Sequence, residues 1–185
     1  MKERGPSRQE LMAARGRTLP DLIVPGLKVL FCGINPGLYS GAVGHHFARP
    51  GNRFWPALHE AGFTDRLLDP GEEEKLLEYG CGITNLVNRA TAGANELSRE
   101  ELREGGRRLA RKVREYRPGF IAFLGIQTYR IACDRPGAGP GRQGTGMDGT
   151  VVWVLPSPSG RVTRYRFREL VSMLKELKAA SDAAG

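Results

Sequence analysis

Four short apolar runs punctuate the chain: Lys28–Gly33, Ile83–Val87, Gly119–Gly125 and Thr150–Leu155. Each is too short for a helix and is bounded by Gly, Pro or Asn, so each reads as a strand buried on both faces. Between them the apolar spacing becomes helical. Leu102, Leu109, Val113 and Tyr116 follow the capping box Ser98-Arg-Glu-Glu101 and predict a helix to about Tyr116. Phe167, Leu170, Val171, Leu174 and Leu177 predict another that closes the domain. Shorter helices are predicted from Asn52, which can cap, to Gly62, over Pro70–Tyr79, and over Gln127–Cys133. The arginine-dense face of the long helix (Arg103, Arg107, Arg111, Arg114) reads as a solvated face.

Strands alternating with helices give an α/β fold with a parallel sheet covered on both faces. Right-handed crossovers then place the strand-end loops on one edge, where open α/β sheets keep their ligands. Three segments should meet there: the loop opening with Gly33-Ile-Asn35-Pro-Gly37, the segment around Asn88, and the loop from Ser157 to Arg164. The first loop continues as LYSGAVGHHFARPGN. Gly41, Gly44, Pro50 and Gly51 argue against helix or strand in it, and loops of this length are commonly functional. Residues 1–20 read as a flexible basic tail and 21–180 as a single domain.

Composition narrows the chemistry. The 185 residues carry a net charge of +8, which suits a polyanionic partner such as nucleic acid. Cys32, Cys81 and Cys133 lie far apart, without a Cys-x-x-Cys pair, so no disulfide framework, zinc site or iron–sulfur cluster is expected. Cys32, Trp55 and Trp153 read as core. Gly-x-Gly-x-x-Gly, Walker and Gly-x-Ser-x-Gly patterns are lacking, which disfavours dinucleotide enzymes, NTP enzymes and serine hydrolases. With no signal-like apolar segment and no run long enough to span a bilayer, a cytoplasmic location is expected.

GINPG, followed by FARPGNRFW, GITNLVNR and LPSPSGR, resembles the mismatch-specific uracil-DNA glycosylase and thymine-DNA glycosylase family, from about Lys28 to about Leu177. The resemblance implies a three-layer α/β/α domain around a central parallel four-stranded sheet. It implies a monomer that needs no metal or organic cofactor and acts on double-stranded DNA. The implied reaction is hydrolysis of the N-glycosidic bond of a flipped-out uracil or related pyrimidine base, notably opposite guanine, in base excision repair. An abasic site is left behind.

By the same resemblance Asn35 positions the attacking water, Phe47 stacks on the extruded base, and Ile34, Gly37 and Ser40 complete the base pocket. Glycine at 37 leaves room for bases altered at the 5-position, where a tyrosine in the related classical uracil-DNA glycosylases resembles a gate. Pro156–Arg161 resembles the loop that enters the duplex. Ser157, Ser159 and Gly160 would meet phosphate or guanine, and Arg161 would be the wedge. Relatives carry an acid where this chain has Asn88, so Asn88 is either part of the catalytic site or a strand-end cap. His45 and His46 are candidates for phosphate contact or acid–base help, but histidines in a Gly-flanked loop are usually just exposed, and the family's chemistry does not require them. Neither loop offers an obvious lysine nucleophile, so no strand-cleaving step is expected. The competing expectation is a low-turnover module that binds mismatches or abasic sites.

Overall fold

In the computed structural model, described for residues 4–144, 146–159 and 164–185, the sheet contains β1 (Val29–Gly33), β2 (Cys81–Asn85), β3 (Phe120–Leu124), β4 (Gly141–Arg142) and β5 (Val151–Leu155). The order is β2-β1-β3-β5-β4. The four predicted runs pair in parallel, and β4 adds a two-residue antiparallel edge to β5. The sheet therefore has five strands rather than four. Two residues within a Gly- and Pro-rich stretch carry no period-2 signal that could reveal the fifth. β2 starts and ends earlier than predicted. Leu86 and Val87 lie past it and donate backbone hydrogen bonds to Gly33 and Ile34.

Every residue of β1, β2 and β3 is buried, because helices cover both faces. Alternate residues serve two cores. Val29, Phe31, Ala122 and Leu155 pack on one face with α3 (Phe54–Glu60) and α6 (Phe167–Ala183). Leu30, Cys32, Ile121 and Val154 pack on the other with α4 (Arg99–Tyr116) and α5 (Ile126–Ala132). Phe31, Leu58, Leu109 and Leu177 are among the fully buried side chains, and each such burial contributes roughly 1.5–3 kcal/mol. Trp55, Trp153 and Cys32 are core, as read from the sequence. The Ser98–Glu101 capping box forms in both directions. Asn52 accepts from the Phe54 N–H at the start of α3. The Pro70–Tyr79 segment is a 3-10 helix opened by Asp69.

Two expectations are corrected. Residues read as a tail are packed onto the domain. Ser7 caps α1 (Arg8–Ala13), and Ala14 and Leu19 are buried. Gly16 donates to Ala90 O and Ala90 donates to Arg17 O; just past the predicted tail, Leu22 exchanges hydrogen bonds with Ile83. The contacts that order this arm are long-range and leave no local periodicity. The first loop also contains a helix, α2 (Leu38–Val43), which runs through Gly41. A Cβ on Gly41 would come within 2.8 Å of the Ala90 Cβ, so the glycine marks a close approach to that segment rather than a break.

Candidate active site

β1 has neighbours on both sides, β2 and β3; the chain leaving β1 runs to β2 on one side and the chain leaving β3 runs to β4 and β5 on the other, so the two connections diverge between the carboxyl ends of β1 and β3. This is the crevice position favoured for ligands in open α/β sheets. Past the strand ends, residues 86–91 continue alongside 33–37. Leu86, Val87 and Thr91 donate to the carbonyls of Gly33, Ile34 and Pro36. The Asn35 turn and the Asn88 segment therefore form one ribbon, as the topology predicted.

The Asn35 side chain is fixed in orientation. Its Nδ2 lies 3.0 Å from Pro36 O, 3.0 Å from Arg89 O and 2.7 Å from Thr91 Oγ1. Backbone carbonyls only accept, so the amide nitrogen and not the oxygen must face them. Thr91 Oγ1 itself donates to Gly93 O, which leaves its lone pairs for Asn35. With the NH2 group saturated, Oδ1 is the acceptor left over, and it has no hydrogen-bond partner among the described residues. Arg89 contributes its carbonyl here while its guanidinium turns away to Glu101, at 2.8 and 3.1 Å. That guanidinium draws the Glu101 carboxyl down to about 2.

Beside the ribbon, Gly33 is closely covered by side chains. A Cβ there would meet Asn85 Oδ1 at 2.5 Å and the tip of the Phe47 ring at 3.2 Å. Gly33 thus admits an amide and an aromatic ring over the end of β1. Phe47 is half-buried and has φ of +54°, a strained conformation for an aromatic residue. One face of its ring stacks on Phe54, with centroids 4.0 Å apart and planes at 27°. The opposite face is the one a planar ligand could use. Ser40 is buried and accepts from the Ala48 N–H, bracing the loop just past Phe47. Gly37 is exposed at the start of α2, and a side chain there would meet nothing within 4 Å. Ile34 packs its side chain toward the second core, near Gly125, so it offers the site mainly backbone.

His46 differs from its sequence reading. It is 3% exposed, its backbone N–H donates to Glu73, and its carbonyl accepts from the Trp55 indole. Its ring reaches Pro20 O at 2.9 Å and Asn85 Nδ2 at 3.4 Å. The arm read as a tail supplies the first of these partners. His45 is half-buried, with its ring 3.3 Å from Glu73.

Asn88 does not act as a cap on any described helix. Its Oδ1 is buried without a hydrogen-bond partner among the described residues. In the second loop, Ser157 Oγ accepts from the Ser159 N–H at 3.3 Å. The Arg53 guanidinium donates to Ser157 O, Pro158 O and Tyr165 O, gathering both stems of this loop against α3. Gly160 and Arg161, read as a duplex contact and the wedge, lie outside the described residues.

The fold thus brings the Asn35 turn beside the Asn88 segment and Phe47 beside Asn85 over Gly33, while Ser40, Thr91, His46 and Arg53 brace the surrounding loops. Asn85 had a local signal, an amide ending an apolar run in GITN. Thr91, His46 and Arg53 had none, because their partners are distant in sequence.

Comparison with known proteins agrees with this architecture. The profile of the uracil DNA glycosylase superfamily matches residues 20–178. A solution NMR structure from Methanosarcina acetivorans, of a protein provisionally named a uracil DNA glycosylase, superposes with a TM-score of 0.56 at 19% identity. The match covers 88% of this chain and 98% of that one, and at this identity it speaks for the fold.

Proposed function

The chain belongs to the uracil DNA glycosylase superfamily, and we propose that it is a monofunctional glycosylase. It would hydrolyse the N-glycosidic bond of uracil and related pyrimidines in mismatched duplex DNA, notably opposite guanine. The observation that carries the reading is Asn35. Three acceptors hold its NH2 group and leave Oδ1 to accept a hydrogen from water.

The chemistry follows from the charges. As the bond breaks, the sugar becomes positive and the leaving base negative. A water whose hydrogen is bound by Asn35 Oδ1 has a lone pair free to aim at the sugar carbon. An amide orients water but takes up a proton poorly, so the site forgoes general-base assistance, typically worth ~10²-fold or more. Asn88, on the same ribbon, is the second catalytic candidate, and its amide cannot counter the sugar's positive charge as a carboxylate could. The base would enter against the free face of Phe47, with Asn85 at its edge. Stacking of this kind accepts any base, so selectivity must come from the polar edge. Ile34 would contribute backbone, Ser40 would hold the loop, and open space at Gly37 would admit substituents at the 5-position.

Arg53 holds the stems of the second loop, which supports reading that loop as the element entering the duplex. Ser157, Ser159 and Gly160 would meet phosphate or guanine, and Arg161 would be the wedge. Flipping costs a few kcal/mol and least at a mismatch, which favours G·U over paired sites. The net charge of +8 fits a phosphate-bearing partner.

The test is a single-turnover assay on a G·U duplex with enzyme in excess. Stoichiometric free uracil and an intact strand carrying an abasic site are expected. Tight binding without base release would replace this reading with the binding module, and direct strand cleavage would overturn the monofunctional assignment.

A further inference from the structure

Three consecutive glutamates lie near the start of the Pro70–Tyr79 helix, and the structure gives them different surroundings. Glu72 accepts from the Asp69 N–H and pairs with Arg66 and Lys75. Glu74 is exposed. Glu73 has a side chain only 14% exposed, and it reaches the loop that carries Phe47. Its Oε2 accepts from the His46 N–H at 2.7 Å, and its Oε1 lies 3.3 Å from His45 Nδ1. A carboxylate only accepts, so both loop groups act as donors. Hydrogen bonds to an ionised acceptor are roughly twice as strong as neutral ones.

What this contact fixes is a peptide plane, the one between residues 45 and 46. The next plane, between 46 and 47, is held by the Trp55 indole, which donates to His46 O at 3.1 Å. The plane after Phe47 is held by Ser40 Oγ, which accepts from the Ala48 N–H. Three consecutive planes are thus tied to three separate elements, and Phe47, at φ of +54°, lies within the run. Such a conformation is costly and persists only where its surroundings over-determine it. Of the three holds, Glu73 supplies the ionised one. We propose that Glu73 is a positioning residue: it clamps the His45–His46 turn so that Phe47 keeps one face on Phe54 and offers the other to the base. The inference rests on reading Phe47 as the stacking ring. Without the clamp the loop relaxes toward negative φ at Phe47 and the ring leaves its place 4.0 Å from Phe54. Glu73 does not touch the substrate. It orders the ring before the base arrives, which removes an ordering cost from the step that binds the flipped nucleotide.

Two measurements test this, one of them independent of catalysis. NMR of the full-length wild-type protein should show Overhauser contacts between the Phe47 and Phe54 rings. In Glu73→Ala, confirmed folded by its thermal transition, these should be lost or strongly weakened. Those between Phe31 and Phe54 in the core, with centroids 5.5 Å apart, should persist. Should Glu73→Ala lose its thermal transition, Glu73→Gln is read in its place, since one oxygen remains for the His46 N–H while an NH2 faces the His45 donor. Phe47–Phe54 contacts unchanged in the folded variant would overturn the clamp even if the protein proved to bind rather than cleave. The second measurement is a double-mutant cycle in single-turnover uracil release from a G·U duplex. Glu73→Ala should lower release about tenfold, the low end for a hydrogen bond to a charged group. In a Phe47→Ala background the same change should lower it by less than about twofold, because no ring is left to position. Equal losses in both backgrounds would make Glu73 a purely structural residue and overturn its positioning role. Absence of release from wild type on any duplex would sink the glycosylase reading while the NMR result still stands.

Discussion

The two ends of the sheet are built from opposite chemistry. At the amino ends of the strands a hollow of about 720 Å³ gathers Lys28, Asp65, Glu78, Tyr79, Lys178 and Asp182. Some of these groups are paired within the hollow. Lys178 pairs with Asp182, and the Tyr79 hydroxyl donates to Asp65, a bond that raises the phenol above its ordinary range. At the carboxyl ends the side chains of Asn35, Asn85 and His46 are held by partners far away in sequence. Asn35 is tied to residues 89 and 91, Asn85 to His46, and His46 to Pro20. Volume and charge would point to the first end. Preorganisation points to the second, because neutral dipoles fixed in advance need not reorganise when charge develops.

Substitutions can break this contrast. The largest effect is expected from Asn35→Ala, which removes the oriented acceptor. Single-turnover uracil release should fall by ~10²-fold or more while duplex binding stays nearly unchanged. Retention of full activity would end the assignment of the carboxyl end as the site. Gly33→Ala comes next. Its methyl group meets Asn85 Oδ1 and the Phe47 ring, and overpacking of this kind costs ~1–3 kcal/mol. Release should fall about tenfold, the equivalent of roughly 1.4 kcal/mol, and the melting temperature should drop. Wild-type release in this variant would separate Phe47 and Asn85 from the reaction.

Asn88→Asp sharpens the contrast by adding a charge to the neutral end. No described group donates to Oδ1 at this position, so stability should fall by ~1–3 kcal/mol in denaturant titration. Release should nevertheless rise severalfold, because a carboxylate beside the sugar counters its positive charge. Lower stability with unchanged release would make Asn88 a purely structural residue. The smallest effect belongs to the other end. Lys178→Ala removes half of a helical i,i+4 pair and should change stability by no more than about 0.5 kcal/mol. Uracil release should stay within about twofold of wild type, since no described contact links Lys178 to the site. A large loss there would overturn the division between the two ends.

The sequence by itself determined the layered α/β fold. A short apolar run can be buried on both faces in only a few ways, and a capping box such as Ser98–Glu101 acts within four residues. It also placed Asn35, because a strand breaking into Gly-Ile-Asn-Pro-Gly at the ligand edge is a local signal. The tertiary structure alone decided what surrounds that amide. The arm before β1 looked like a polar tail because its stabilising partners are Ala90, Ile83 and the His46 ring, and none leaves a trace in local periodicity. Gly41 looked like a helix breaker because the close neighbour that explains it, Ala90, lies 49 positions away. His46 looked exposed between glycine and aromatic residues, yet Pro20, Glu73, Trp55 and Asn85 enclose it. Residue type sets which hydrogen bonds a group is able to make. Which of them it does make, and hence whether an amide presents its oxygen or its nitrogen to a substrate, depends on partners that only the fold brings within reach.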